Sequence, residues 1–176
     1  ITDHWDYVGE MMHFTRTLDP FRNVCYVSYT GARESHGVGN DPLTFNDVIL
    51  YNVYPYNSHA AETVHEKWPD KPIFFAEFGR GQLGIGPDAT IPDLEQMYRF
   101  STVGRPYVIG VSLWTFNDYR SDYRGTPESG NREWGIVDVH RNPKGAYEQV
   151  RKLYAPVSSL RILNDQTIEL IPRGKE

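Results

Sequence analysis

The chain has 176 residues, 39% of them hydrophobic and 23% charged, with a formal net charge of -5 at pH 7. This is globular composition, which excludes a disordered or fibrous chain, and the acidic balance excludes a general binder of phosphate backbones, which carries a basic excess. No run reaches the roughly 18 apolar residues of a helical membrane span and no N-terminal signal pattern is visible, so neither nucleic acid nor membrane is an expected partner. The single Cys25 lies in an apolar stretch, gives no disulfide framework, and is expected as a buried inert thiol. Opening on Ile1 directly into a helical pattern, the chain is expected to be a piece cut from a longer precursor.

From Asp3 to Leu18, Trp5, Val8, Met12, Thr15 and Leu18 recur at helical spacing, with Thr2 or Asp3 available as N-cap and Asp19-Pro20 as the stop. Val24 to Tyr29 reads as a strand. Ala32 to Asn46, rich in Gly, Asn, Ser and Pro and containing His36, is long for a connection and is a candidate functional loop. Asp47 to Val53 is a second strand, running into Asn52-Val53-Tyr54-Pro55-Tyr56. Ser58 is placed to cap a helix through Trp68.

Ile73 to Glu77, opening after Pro72, reads as a third strand, apolar along its length and therefore buried on both faces, delivering one carboxylate at its C-terminal end. A helix opens at Ile91-Pro92-Asp93 with Leu94, Met97, Tyr98 and Ser101 on one face, and Gly104 closes it. Tyr107 to Leu113 is the fourth strand and leads into Trp114-Thr115-Phe116-Asn117-Asp118-Tyr119. A polar loop runs from Arg120 to Trp134, Gly135 to Val139 is extended, and Asn142-Pro143 opens a helix with Tyr147, Val150 and Leu153 inward. The tail alternates weakly through Leu160, Ile162, Ile168 and Leu170 about the turn Asn164-Asp165, as a β-hairpin would.

One helix followed by four strand-helix units is about half of an eight-unit barrel of roughly 250 residues. A flavodoxin-like sheet is the alternative, although it has five strands and a ligand loop after its first. In either arrangement ligands gather at the C-terminal strand ends, which makes Glu77 the first candidate for chemistry. A glutamate there also serves to pair an arginine or cap a turn. Gly79-Arg80-Gly81-Gln82-Leu83-Gly84 has the G-x-G-x-x-G spacing, but no helix follows its third glycine to receive a pyrophosphate, so it equally reads as a loop passing close to a substrate. The six histidines show no metal-ligand spacing. Tyr54 and Tyr56 suit either core or cleft. Trp114 suits core packing or a platform for a pyranose ring, and Arg120, Arg124, Arg132 and Arg141 are solvated, paired, or readers of an acidic substituent.

Three ordered motifs resemble one family. The strand with Glu77-Phe78-Gly79, the strand end Trp114 to Tyr119, and Gly135-Ile136-Val137-Asp138 leading to Asn142-Pro143-Lys144-Gly145-Ala146-Tyr147 are similar to the C-terminal half of the catalytic barrel of glycoside hydrolase family 2, over Ile1 to Pro156. The resemblance implies a partial (β/α)8 barrel, strands five to eight, over residues 1–156, and the start of a β-sandwich-like domain or tail over 157–176. It implies a retaining β-glycosidase, which uses two carboxylates about 5 to 5.5 Å apart. Glu77 then matches the nucleophile and Tyr54 the tyrosine that hydrogen-bonds it. Asn52, Tyr56, Arg80, Trp114, Asn117 and Asp118 fall among the substrate-binding positions.

The family's acid/base is the Glu of an Asn-Glu pair at the end of the fourth strand, and this chain has no Asn-Glu pair. The resemblance thus implies a chain inert on unactivated glycosides, whose open face pairs with a second copy or with the missing N-terminal half. Asn131-Arg132-Glu133 stands where the glucuronidase branch carries Asn-x-Lys, which implies a β-galactoside or related β-glycoside. No cofactor is implied, and polysaccharide-degrading relatives imply a periplasmic or secreted location. The competing readings are a non-catalytic carbohydrate-binding half barrel and a nucleotide-binding α/β protein using Gly79 to Gly84.

Overall fold

The computed structural model describes residues 4–31, 41–54, 57–81 and 86–173. These fall into two compact units, Ile1–Gly79 with Gln96–Leu113, and Arg80–Glu95 with Trp114–Glu176.

The first unit is a parallel sheet with helices. Its strands β1 (Val27–Ser28), β2 (Ile49–Asn52), β3 (Ile73–Phe78) and β4 (Val108–Leu113) lie in the order β1-β2-β3-β4. All three pairings are parallel, and the order never reverses. One face of the sheet is dry: Ile49, Tyr51, Ile73, Phe75, Phe78 and Val111 are buried on it, with the Tyr51 and Phe75 rings edge to face at 6.4 Å. Helix α2 (Ala60–Lys67) packs against β3 and buries Ala60, Ala61 and Val64. The other face, carrying Leu50, Asn52, Phe74 and Glu77, is only half buried. A Cβ at Gly110 would come within 2.8 Å of the Phe74 ring, so glycine there leaves room for that side chain. The third strand is therefore dry on one face and half open on the other, where its uninterrupted apolar run predicts burial on both.

Helix α1 (Trp5–Leu18) buries Met12, with Trp5, Val8, Gly9 and Arg16 half-buried on the same side. Arg16 closes that contact by donating to the Phe45 carbonyl at 2.6 Å and pairing with Asp47 at 3.0 Å. Leu18, expected inward, is 71% exposed, because a stripe through residues 5, 8, 12 and 16 turns it away. The caps expected at Thr2 or Asp3, and the loop residue His36, lie outside the described residues. Within the expected loop, Pro42–Phe45 form a short 3-10 turn whose Leu43 N–H is capped by Asp41 at 2.9 Å. Cys25 is half-buried rather than buried.

Helix α2 has His59 rather than Ser58 at its N-cap, with no side-chain cap, and Asn57 makes the turn that leads into it. The Asn57 side chain accepts the His59 N–H at 2.9 Å and its carbonyl accepts from Ala60 at 3.2 Å. Helix α3 (Leu94–Thr102) buries Leu94, Met97 and Ser101 as their spacing predicts, but starts after Pro92 rather than around it, with Asp93 at φ 56°.

In the second unit, helix α4 (Gly145–Tyr154) buries Ala146 and Leu153 and anchors the segment ahead of α3: Ala146 donates to the Ala89 carbonyl at 2.8 Å, and the Gln149 side chain accepts from Ile91 at 2.8 Å. The expected polar loop contains a two-stranded pair, β5 (Tyr119–Arg120) with β6 (Asn131–Arg132). The tail forms the expected hairpin, β7 (Val157–Asn164) with β8 (Thr167–Pro172). Its pairs Leu160↔Leu170 and Ile162↔Ile168 share one face, and all four residues are more than half exposed.

Because Phe75 is 1% exposed at the centre of the sheet, Phe75→Ala is expected to lower the unfolding free energy by about 3–5 kcal/mol, read from urea denaturation. A loss under about 1 kcal/mol would put Phe75 outside a packed core.

Candidate active site

The sheet's half-open face carries the site, and a register irregularity builds it. Ile49, Leu50 and Tyr51 pair in step with Ile73, Phe74 and Phe75, but Asn52 pairs with Glu77, so Ala76 is passed over. A regular ladder would set Asn52 beside Ala76. The extra residue in β3 puts Asn52 and Glu77 side by side, and Val53 donates to the Glu77 carbonyl at 2.8 Å to hold the match. Gly79 then turns the chain with φ 130°, a conformation that L side chains rarely adopt, which ends the strand just past the carboxylate.

Burial raises the Glu77 pKa above its ordinary range, because taking a carboxylate out of water disfavours its charged form. Hydrogen bonds from the Asn52 and Tyr54 side chains work in the opposite sense and favour the carboxylate, with burial the larger effect. The Asn52 Oδ1 is buried and accepts no hydrogen bond among the described residues. The first unit thus brings together Glu77, Asn52 and Tyr54: one carboxyl with an amide and a phenol that favour its charged form. Tyr56 lies outside the described residues, as do Gln82 to Gly84 of the glycine-rich loop.

Trp114, Asn117, Asp118 and Arg80 belong to the second unit. Trp114 is 36% exposed and donates its indole N–H to the Tyr119 hydroxyl at 3.0 Å, the rings edge to face at 5.8 Å. Its peptide bond to Thr115 is cis. Asn117 donates its side-chain amide to the Asp118 carbonyl at 2.7 Å. Arg80 is exposed and pairs with Asp93 at 3.5 Å. Asp118 is buried, and its Oδ1 accepts from Lys144 Nζ at 2.7 Å and from the Gly135 N–H at 2.8 Å. The structure therefore places Asp118 inside the framework that carries Trp114.

Of the arginines open to several readings, Arg132 sits over the rings of both Tyr123 and Trp134, at 4.7 and 4.8 Å, and Arg141 lies over Phe116 at 5.7 Å. Residue-by-residue reading of the sequence misses Lys144, Gly135 and Tyr119 as the partners of Asp118 and Trp114. Lysine at a helix start reads as solvated. The available signal is that Lys144 and Gly135 stand in the same motif as Asp138 and Pro143, which is more sequence than a surface turn requires.

A doubly wound sheet binds its cofactor where the strand order reverses, and the order β1-β2-β3-β4 does not reverse.

No protein-family model matches the chain. Pig β-glucuronidase is 28% identical over 171 residues, covering 84% of this chain and 25% of that protein. Human β-glucuronidase is 26% identical over 176 residues, covering 87% and 26%. The chain thus spans about a quarter of the length of the curated relatives it matches. Among solved structures, a family 2 β-galacturonidase from Eisenbergiella tayi bound to galacturonate superposes with a TM-score of 0.64 at 23% identity, over 82% of this chain and 29% of that one. The β-D-glucuronidase of Dictyoglomus thermophilum gives a TM-score of 0.61 at 22% identity, over 84% and 28%. These structures share the fold of the chain.

The raised Glu77 pKa has a consequence for stability. A carboxyl that holds its proton more tightly when folded loses stability as pH rises from its unfolded pKa through its folded one, and keeps the full cost above. Glu77→Gln is expected to remove that cost. Thermal denaturation between about pH 3 and pH 8 should show the variant more stable at neutral pH, with the advantage fading in acid. An advantage that instead grows in acid would contradict the burial of this group.

Proposed function

We propose that this chain, a piece of a glycoside hydrolase family 2 protein, supplies the nucleophile-bearing half of a retaining β-glycosidase. In this reading the four parallel strands are strands five to eight of a (β/α)8 barrel, an assignment supported by their unreversed order. The observation that carries the proposal is Glu77, ionisable and half-buried at the C-terminal end of a parallel strand, with the Asn52 and Tyr54 side chains favouring its charged form.

The chemistry follows from that arrangement. The Glu77 carboxylate attacks the anomeric carbon of a β-glycoside, the bond from that carbon to the leaving oxygen breaks, and an α-glycosyl ester forms on Glu77. Donation from Asn52 and Tyr54 holds one orientation of the carboxylate and keeps it ionised despite its burial. The Trp114 indole, in the second unit, is suited to serve as a platform for a pyranose ring. Water then cleaves the ester, giving its proton to a base and restoring the carboxylate.

The leaving oxygen of an ordinary glycoside needs a proton in the first step, and the family's Asn-Glu acid has no counterpart here. Alone, the chain is expected to react only with leaving groups acidic enough to depart unprotonated. The acid would come from a partner half. A docking role for helix α1 is supported by its exposed Tyr7, Met11, Phe14 and Leu18, spaced along one side at intervals of four, three and four. The exposed apolar face of the β7–β8 hairpin supports reading residues 157–176 as part of a larger β-rich module, since a lone two-stranded hairpin is marginal in water.

The names of the relatives favour an acidic sugar, a hexuronide, over the neutral galactoside implied by Asn131-Arg132-Glu133. Arg132, held over two aromatic rings, is a cation able to face a carboxylate. The test uses dinitrophenyl 2-deoxy-2-fluoro-β-glycosides of glucuronic acid and of galactose, with peptide mapping by mass spectrometry. A glycosyl adduct on Glu77, absent in Glu77→Gln and formed faster with the uronide, is expected. Sugar binding without an adduct would favour the non-catalytic half barrel. Turnover of an unactivated β-glycoside by the chain alone would contradict the assignment of the acid to another segment.

A further inference from the structure

Asp118 and Lys144 are each about 4% exposed, and together they form a buried ion pair in the second unit at 2.7 Å. Such a pair is a weak source of net stability, because desolvating both charges offsets most of their attraction. Its position suggests a different purpose. Asp118 stands between two residues that touch each other, four positions after Trp114 and one before Tyr119, whose hydroxyl accepts the indole N–H.

The segment from Trp114 to Asp118 is joined to residues 134–137 by a ladder. Thr115 donates to the Trp134 carbonyl at 3.4 Å and accepts from Ile136 at 3.1 Å, while Phe116 accepts from Val137 at 3.0 Å and Asp118 donates to Val137 at 3.0 Å. The Asp118 side chain fastens the end of this ladder through the Gly135 N–H at 2.8 Å and through Lys144. Lys144 in turn donates its own N–H to the Ile136 carbonyl at 3.0 Å and sits at the start of α4. A Cβ at Gly135 would collide with the Asp118 nitrogen and the Asn117 carbonyl carbon, so the two segments run closer than any other residue permits.

We infer that Asp118 and Lys144 are positioning residues, which fix the Trp114 indole and its Tyr119 partner in one orientation by locking the strand end that carries both to residues 134–137 and to the start of α4. Their value for a glycosidase rests on the reading of Trp114 as the sugar platform proposed above. The locking itself does not, and it is testable without sugar.

The test is acrylamide quenching of tryptophan fluorescence in the full chain. The Trp114 contribution is taken as the difference between each protein and the same protein carrying Trp114→Phe, which separates it from Trp5, Trp68 and Trp134. In Asp118→Leu with Lys144→Met, both charges leave together and no unpaired charge stays buried, so the thermal midpoint is expected to stay near that of the native chain. The Trp114 contribution is expected to rise about twofold as the strand end opens locally. Lys144→Arg, which keeps a cation for Asp118, is expected to leave Trp114 close to native. The inference is overturned if the double variant folds and its Trp114 quenching is unchanged. It is also overturned if the double variant and Lys144→Arg both lose their far-UV circular dichroism, because the pair would then support the whole unit rather than one side chain. Labelling of Glu77 can succeed or fail independently of either outcome.

Discussion

The site depends on one skipped residue. In β3 the ladder with β2 passes over Ala76, and that single slip turns Glu77 onto the same side as Asn52 at the open end of the sheet. Every later property of the carboxylate follows from it. The dry face below, with Ile73, Phe75 and Phe78 buried, gives the strand its rigidity. The half-open face above leaves Glu77 close enough to solvent to ionise and buried enough for its neighbours to matter. Burial and the neighbouring Asn52 and Tyr54 side chains then act in opposite directions on the same carboxyl, the first disfavouring its charge and the other two favouring it.

The second unit manages charge in another way. Asp118 and Lys144 are both withdrawn from water, and each is acceptable only because the other is there. Gly135 allows the backbone approach that brings a second hydrogen bond to the Asp118 oxygen that accepts from Lys144. This cluster organises backbone around an aromatic residue, whereas the cluster around Glu77 tunes a single carboxylate. The two arrangements are typical of sites in which a few polar groups are fixed by a supporting shell rather than by their own flexibility.

Much of this organisation is legible in the amino-acid sequence, for physical reasons. The apolar run from Pro72 to Phe78 has one placement in a parallel sheet, and its carboxylate marks the strand end. The helical stripe of Leu94, Met97 and Ser101 and the hairpin about Asn164 follow their periodicities. The slip at Ala76 is not legible, since alanine fits both a regular strand and a bulge. The dry and open faces of β3 are likewise hidden, because Phe74 and Phe75 are equally apolar and only the neighbouring strands distinguish them. The start of α2 at Ala60, two residues beyond Ser58, is not legible either, since Asn57 and Ser58 have similar turn chemistry and His59 has none to mark the helix start. The burial of Lys144 depends on an aspartate twenty-six positions away, and no local pattern announces such a pair. Asp118 shows the same limit from the other side: a carboxylate four residues after a tryptophan reads as a candidate substrate contact, and nothing nearby in the sequence announces that it is buried against Lys144.

The account's central claim is that Asn52 and Tyr54 hold Glu77 as an ionisable nucleophile in a half-buried setting. Carbon-13 NMR titration of the Glu77 side-chain carboxyl, in the native chain and in Asn52→Ala and Tyr54→Phe, tests it most directly. The account predicts a native midpoint above the ordinary glutamate range and a further rise in each variant, as a donor to the charged form is lost. A midpoint in the ordinary range that neither substitution moves would contradict it.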